Sequence, residues 1–368
     1  MIYKDFQGEN ISVLGMGNMR LPTKGEGGPI DREKAQAIID YAMANGINYY
    51  DTAYPYHGGE SESFLGEAMK KYPRESYKLA TKYFILANPD YKAVFEEQLS
   101  KLQTDYVDFY LIHGIFDHTW QQYIDSGCIE YFIEQKKAGR IKHLGFSSHA
   151  KVEYLEKFAD YTEWEFCQLQ MNYFDWEYGT AKAEYEAIHS RNIPIVVMEP
   201  VRGGRLASLT PEAEAILKAQ HPDWSIASWA FRWLKGLDSI QVILSGMTTM
   251  DQIVDNVKTF ETEGGLSAED ETALLKAREV FRSNLQVPCT GCRYCCDDCP
   301  QSINIPAFLT IYNAFKVDGP RGTREAIDAV ESTGKPTDCI GCGLCTGHCP
   351  QSIDVPSAMA ELAEIMNH

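Results

Sequence analysis

The sequence predicts an α/β fold: a closed (β/α)8 barrel followed by a small, mostly helical, cysteine-rich domain. Three observations point there. Short β-branched or aromatic runs alternate with longer amphipathic stretches, as in repeated strand–helix units around a parallel sheet. Eight such units follow one another, which favours a closed barrel over an open sheet. Eight of the eleven cysteines fall in two copies of one motif near the end of the chain.

The units read in order as follows. The run "ISVLGMG" is a strand, and Asp31 then caps a helix through "REKAQAIIDYAMANG" that stops at Gly46, a C′ glycine. Next come "INYYDTA", a helix around "SESFLGEAMKKY", "YKLATKY" and the helix "DYKAVFEEQLSKL". The strand "VDFYLIH" precedes one helix from Trp120 to Ala138, and "IKHLGFSS" precedes "VEYLEKFAD". The last units pair "FCQLQMN" with "AKAEYEAIHSR", "IPIVVMEP" with a helix over Asp223 to Lys235, and "IQVILSG" with "DQIVDNVKTF". A final barrel helix spans "SAEDETALLKAREVFRSN". A dinucleotide-binding fingerprint at "GMGNMR" is the rival reading of the first turn. It is weak, because Arg20 stands where the third glycine belongs and no helix opens there.

With 368 residues the chain exceeds the roughly 250–300 at which single cores stop growing, so two domains are expected, 1–285 and 286–368. A net charge of −18 argues against nucleic acid as a partner, since phosphate binding needs clustered Lys and Arg. No apolar run approaches the roughly 20 residues of a membrane helix, and "MIYKDFQGEN" is too polar for a leader. A cytoplasmic location is the expectation, and eleven cysteines of which eight sit in two motifs do not suggest a disulfide scaffold.

Polar side chains collect where the strands end: Asp51, Lys82, His113, Ser147, Ser148, Gln168, Asn172, Glu199 and Ser245. In a barrel these share the C-terminal rim, where active sites are built. The stretches "DTAYPYHGGESE", "LATKY", "YLIHG", "LGFSS" and "QLQMNY" resemble the aldo-keto reductases over Ile2 to Leu285. The resemblance implies a catalytic tetrad of Asp51, Tyr56, Lys82 and His113. The chemistry is coherent: carbonyl reduction by hydride leaves an alkoxide that needs a proton, and a phenol with an ordinary pKa near 10 is a reluctant donor. Lys82 would favour the phenolate of Tyr56, Asp51 would compensate the buried ammonium, and His113 would orient the carbonyl oxygen.

The same resemblance implies a nicotinamide cofactor. Ser147, Ser148 and Gln168 would meet its carboxamide, with Gly17, Asn18 and Met19 near the ring and Met198 where the family usually stacks an aromatic side chain. Phosphate contacts would come from Arg202, Gly203 and Gly204 and from Ser245, Gly246, Met247, Gln252, Asp255 and Asn256. Gly246 and Gln252 stand where many members carry cations that clamp a 2′-phosphate. NADH, NADPH and a flavin therefore all stay open. Met19, Tyr54, His57, Phe116 and Tyr173 would contribute to the substrate pocket.

Both cysteine motifs spell C-x2-C-x2-C-x3-C-P, which is the two-cluster ferredoxin signature. Zinc is the competing reading, but a four-ligand ion needs neither the third close cysteine nor the proline. In that signature the fourth cysteine ligates the other cluster. One [4Fe–4S] cluster would then use Cys289, Cys292, Cys295 and Cys349, and the other Cys339, Cys342, Cys345 and Cys299. Cys296 would be a bystander. The expected function is an oxidoreductase acting on a small-molecule carbonyl or alcohol, with clusters exchanging electrons with a ferredoxin- or flavodoxin-like carrier. The alternatives are a reductase whose clusters are structural or docking elements, and a flavin-dependent electron-transfer protein with a vestigial tetrad.

Overall fold

The computed structural model describes residues 1–25, 27–283, 287–318, 320 and 322–367, so the expected domain boundary at 285/286 lies outside the described residues. The chain divides into two compact units, Met1–Val201 with Ser228–Leu266, and Arg202–Ala227 with Ser267–His368. In the first unit eight parallel strands form a closed barrel. They are β1 (Leu14–Gly17), β2 (Tyr49–Asp51), β3 (Lys78–Tyr83), β4 (Val107–Ile115), β5 (Ile141–Ser148), β6 (Phe166–Gln170), β7 (Ile195–Met198) and β8 (Ile240–Ser245), with β8 pairing back onto β1.

Local sequence explains the main turns. The Asp31 side chain accepts a hydrogen bond from the Lys34 amide at the start of helix Arg32–Ala44, and the chain leaves that helix through Gly46 at φ +84°. The single helix expected from Trp120 to Ala138 is instead two, Trp120–Asp125 and Cys128–Lys137. Gly127 breaks it by taking φ +73°, a left-handed conformation that glycine adopts without a Cβ penalty.

The expected first strand is also divided. Glu9–Ser12 pairs antiparallel with Tyr3–Phe6, and only Leu14–Gly17 enters the barrel. The hairpin carries Phe6 against Phe109 and Phe166, ring centroids 4.9 and 5.9 Å away. Those partners lie near the starts of β4 and β6, so the hairpin closes the N-terminal end of the barrel. Inside, Gly145 lies so close to β6 that an added Cβ would stand 2.5 Å from the Phe166 carbonyl oxygen. The opposite rim is left for polar side chains.

The second unit contains helices Pro211–Gln220 and Ala268–Ser283, which pack together. It also holds a near-repeat. Each cysteine motif contains one short helix, Tyr294–Asp297 or Leu344–Gly347, and leads into a longer one, Ile305–Asp318 or Val355–Asn367. The copies match in backbone detail: Gly291 and Gly341 take φ +69° and +66°, and Ser302 and Ser352 take +51° and +50°. Between them lies an apolar core that includes Ile303, Phe308, Leu309, Ile353, Met359 and Leu362.

One buried acid makes barrel stability depend on pH. Glu184, 8% exposed, is pushed from an ordinary 4.5 up to about 7 by burial, against a Thr180 hydrogen bond and with the Asp175 charge adding to the rise. As pH rises the unfolded chain ionises this group first, so the native state holds more protons and loses stability between pH 4.5 and about 7. The expected loss is up to about 3 kcal/mol. Urea unfolding across this window should show it, and Glu184→Gln should flatten the dependence.

Candidate functional site

β2 ends on Asp51, β3 carries Lys82 one residue before its end, and β4 carries His113. Tyr56 opens the short turn Tyr56–Gly59 after β2, in which His57 and Gly58 take positive φ. The structure brings all four expected residues together. Lys82 Nζ donates to Asp51 Oδ1 at 2.6 Å and to the Thr52 carbonyl at 2.7 Å, and it stands 3.5 Å from the Tyr56 hydroxyl. The Tyr56 ring meets His113 edge-on, centroids 5.9 Å apart.

Burial dominates the electrostatics. It pushes the Lys82 ammonium down and the Asp51 carboxyl up, while the contact between them opposes both shifts. Each charge therefore sustains the other. His113 is held well below its usual range, first by burial and then by the Lys82 charge, so it is neutral at ordinary pH. Its Nδ1 and Asp51 Oδ2 have no hydrogen-bond partner among the described residues.

A further carboxylate lies beneath this group, in the stretch "GGESE" whose role sequence reasoning left unassigned. Glu62 is fully buried, and its Oε1 accepts from Thr81 Oγ1 at 2.6 Å and Gln98 Nε2 at 2.7 Å. Gln98 also donates to the Lys82 carbonyl at 2.9 Å, which fixes the end of β3. The Glu62 charge raises the Lys82 pKa. The signal was a buried-spacing acid directly after the tyrosine turn.

The residues expected around a nicotinamide occupy the same rim. Gln168 Oε1 is buried without a partner among the described residues, while its Nε2 lies 3.5 Å from the Met198 sulfur. Ser147 Oγ accepts from the Gly114 amide, and Ser148 Oγ accepts from the Ala150 amide. Asn18 Nδ2 donates to the Asp51 carbonyl at 2.9 Å and leaves its Oδ1 unpartnered among the described residues. Gly17 lies against the Ser245 carbonyl, and Met19 is half-buried in the turn that follows β1.

The expected phosphate contacts separate. Ser245 Oγ accepts from Asn256 Nδ2 at 2.9 Å, Met247 is buried and Asp255 is half-buried. Gln252 closes a capping box with Thr249 at the start of helix Met250–Thr259, which occupies its side chain. The space a side chain at 246 would take is filled by Arg20, whose carbons lie 3.0 to 3.3 Å from the position of a Cβ on Gly246. Arg20 Nη2 is buried with no partner among the described residues. Sequence reasoning saw Arg20 only as a missing glycine. Arg202, Gly203 and Gly204 belong to the second unit, where Arg202 Nη2 donates to Gln351 Oε1 at 2.8 Å. The pocket residue Tyr54 is engaged on helix Tyr91–Leu102, its hydroxyl donating to Glu97 at 3.0 Å.

The cysteines surround two cavities. One is lined by Cys289, Cys292, Cys295 and Cys349; the other by Cys299, Cys339, Cys342 and Cys345. Each cavity thus takes three sulfurs from one motif and one from the other, and Cys296 lines neither. Among the described residues, no three His, Cys, Asp or Glu side chains converge as tightly as one metal ion would require. No described helix is long and apolar enough to cross a membrane.

Comparison with known proteins finds a family for each part of the chain, the first match running on through 202–227 and 267–278. A profile of the Aldo/keto reductase family matches residues 13–278, and one of the 4Fe-4S dicluster domain matches 288–353. The uncharacterized oxidoreductase YqkF of Bacillus subtilis is 26% identical over 282 residues, covering 68% of this chain and 87% of its own length. The NADH-specific methylglyoxal reductase of Escherichia coli is 24% identical over 330 residues, 74% of this chain and 96% of its own. Among solved structures, a holo-form aldo-keto reductase from Bacillus halodurans aligns at 28% identity with a TM-score of 0.63, covering 75% of this chain and 96% of that one.

The buried pair can be tested by removing its halves. Asp51→Asn leaves a buried ammonium without its counter-charge, with an expected loss of about 3–5 kcal/mol. Asp51→Asn with Lys82→Met removes both charges and should recover most of that loss, as urea unfolding of the single and double variants would show.

Proposed function

We propose that this chain, which belongs to the aldo/keto reductase family and carries a 4Fe-4S dicluster domain, reduces a small-molecule carbonyl or oxidises the corresponding alcohol, with Tyr56 as the acid–base group. The observation that carries this reading is the buried Lys82 ammonium, 2.6 Å from Asp51 and 3.5 Å from the Tyr56 hydroxyl. When bound, a nicotinamide supplies the hydride, and iron–sulfur clusters carry single electrons.

The chain's own residues do the rest. Tyr56 donates a proton to the carbonyl oxygen as negative charge develops there, and Lys82 stabilises the phenolate that remains. Asp51 keeps the ammonium charged in a site with no water contact. His113, neutral by burial, holds the carbonyl oxygen by a hydrogen bond without competing as an acid.

The unpartnered Gln168 amide oxygen suits the carboxamide N–H of a nicotinamide, flanked by Ser147, Ser148 and Met198. Gly17, Asn18 and Met19 would border the ring. Arg20, which fills the space beside Gly246, would offer a cation to the pyrophosphate that NADH and NADPH share, beside the N-terminus of helix Met250–Thr259 and near Ser245 and Asn256. The absence of Lys or Arg at 246 and 252 favours NADH, and a relative that aligns over 74% of this chain is named as an NADH-specific reductase.

The eight motif cysteines hold two clusters. Their sulfurs stand around cavities, which suits a group whose irons each take one thiolate, whereas zinc would draw four sulfurs to about 2.3 Å of a single centre. Hydride transfer moves two electrons together and a cluster moves one, so clusters held by these cysteines would supply single-electron chemistry suited to a separate ferredoxin- or flavodoxin-like carrier.

Tyr56→Phe should lower kcat for NADH-dependent carbonyl reduction by about 10²- to 10⁴-fold with the KM for NADH unchanged. Arg20→Ala should raise that KM about tenfold and spare kcat. Anaerobically prepared protein should show a broad brown absorbance with no resolved yellow flavin bands. Full activity in Tyr56→Phe, or a colourless zinc protein, would overturn the reading.

A further inference from the structure

The two cysteine motifs fold as near-copies. From the places where the copies differ, we infer that the chain raises the reduction potential of one cluster selectively: Arg202, Arg205 and Arg293 make the cluster held by Cys289, Cys292, Cys295 and Cys349 the more easily reduced of the two. This rests on the reading above that each cavity holds a cluster.

The repeat supplies an internal control. Arg293 lines the first cavity, and its counterpart Gly343 lines the second. Both residues take the same left-handed backbone, φ +69° and +76°. Glycine adopts that conformation without penalty and arginine does not. An arginine held where glycine fits better points to a use for its charge. Elsewhere in the copies Gln351 lines the first cavity as Gln301 lines the second, and Gln351 is the residue that accepts from Arg202 at 2.8 Å.

Arg202 is 1% exposed, so its charge is poorly screened by water. Arg205 is half-buried and donates to Thr310 Oγ1 at 2.8 Å, next to Leu309 in the lining of the same cavity. Among the described residues, the lining of the second cavity holds no charged side chain. The charges closest in sequence to Cys299 are acidic, Asp297 and Asp298, and Asp298 is paired with His348 at 2.9 Å.

Reduction of a cluster adds one electron from a one-electron donor. It adds one negative charge to the cluster and its thiolates, makes or breaks no bond and requires no proton. Arginine stays cationic throughout. Buried cations beside one cluster therefore stabilise its reduced form and leave the other unaffected. An electron entering at either site settles on the Cys289 side.

The test is a graded redox titration of full-length, iron-loaded protein under anaerobic conditions, followed by electron paramagnetic resonance. The wild type should show two midpoint potentials. Arg293→Gly, which installs the residue of the other copy, and Arg205→Met should each move the higher potential to more negative values and leave the lower in place. Cys342→Ser should alter the lower-potential signal, which assigns it to the second site. Equal movement of both potentials, no movement, or a Cys342→Ser effect on the higher-potential signal would sink the inference. Iron far below about eight atoms per chain would instead overturn the cluster reading itself, and this inference with it.

Discussion

Lys82 carries its ammonium where no water reaches it, and the chemistry of the first unit depends on that placement. A buried ammonium persists only if a counter-charge lies in direct contact and its remaining protons find acceptors. Here Asp51 and the Thr52 carbonyl meet those needs at 2.6 and 2.7 Å. Pairing of β2 with β3 makes this possible, since Asp51 lies opposite Ala80, two residues before Lys82 and so on the same face. Closure of the barrel at its other end by Phe6 leaves this rim as the place where polar groups can gather. Tyr56 then needs only the tight turn after Asp51 to reach the ammonium.

A similar dependence governs the second unit. Burial pushes the Cys289 and Cys345 thiols up, so as bare side chains they remain protonated, whereas cluster ligands are thiolates. Ligation must therefore supply what burial opposes. Each cavity draws its fourth sulfur from the other motif, so neither copy can complete a site alone. The apolar core between the copies holds the two in register.

Much of this was legible in the sequence. That Asp51, Tyr56, Lys82 and His113 would lie together could be read because a strand's last residues face one rim whatever the packing, and that the cysteines would gather in two groups of four because their repeated spacing is tight. What escaped depended on contacts between distant segments. The hairpin Tyr3–Phe6 with Glu9–Ser12 is short and half polar, and only the partners Phe109 and Phe166 reveal Phe6 as a plug. The stretches 202–227 and 267–283 join the second unit without any cysteine to announce them. Gly127 read as an ordinary helical residue because a lone glycine inside a helical pattern does not announce the positive φ at which it ends one helix and starts another. Arg20 could not be assigned until Gly246 was seen to lie against it, nor Arg202 until its partner proved to be Gln351.

Keeping the two chemistries in separate units has a physical logic. In the proposed reaction the four rim residues would move a proton in step with a pair of electrons, in surroundings whose charge is balanced: ammonium, carboxylate and neutral imidazole. A cluster moves one electron and no proton, so charge around it is left unbalanced in one oxidation state or the other. Cations fixed nearby decide which state is favoured. A guanidinium set to favour a reduced cluster would disturb the tetrad, because another positive charge beside Lys82 would drive its proton off and remove the stabiliser of the Tyr56 phenolate. The arginines beside the first cavity belong to the second unit, and the ammonium of the first is balanced within its own strands. Each site can therefore be tuned by its own charges.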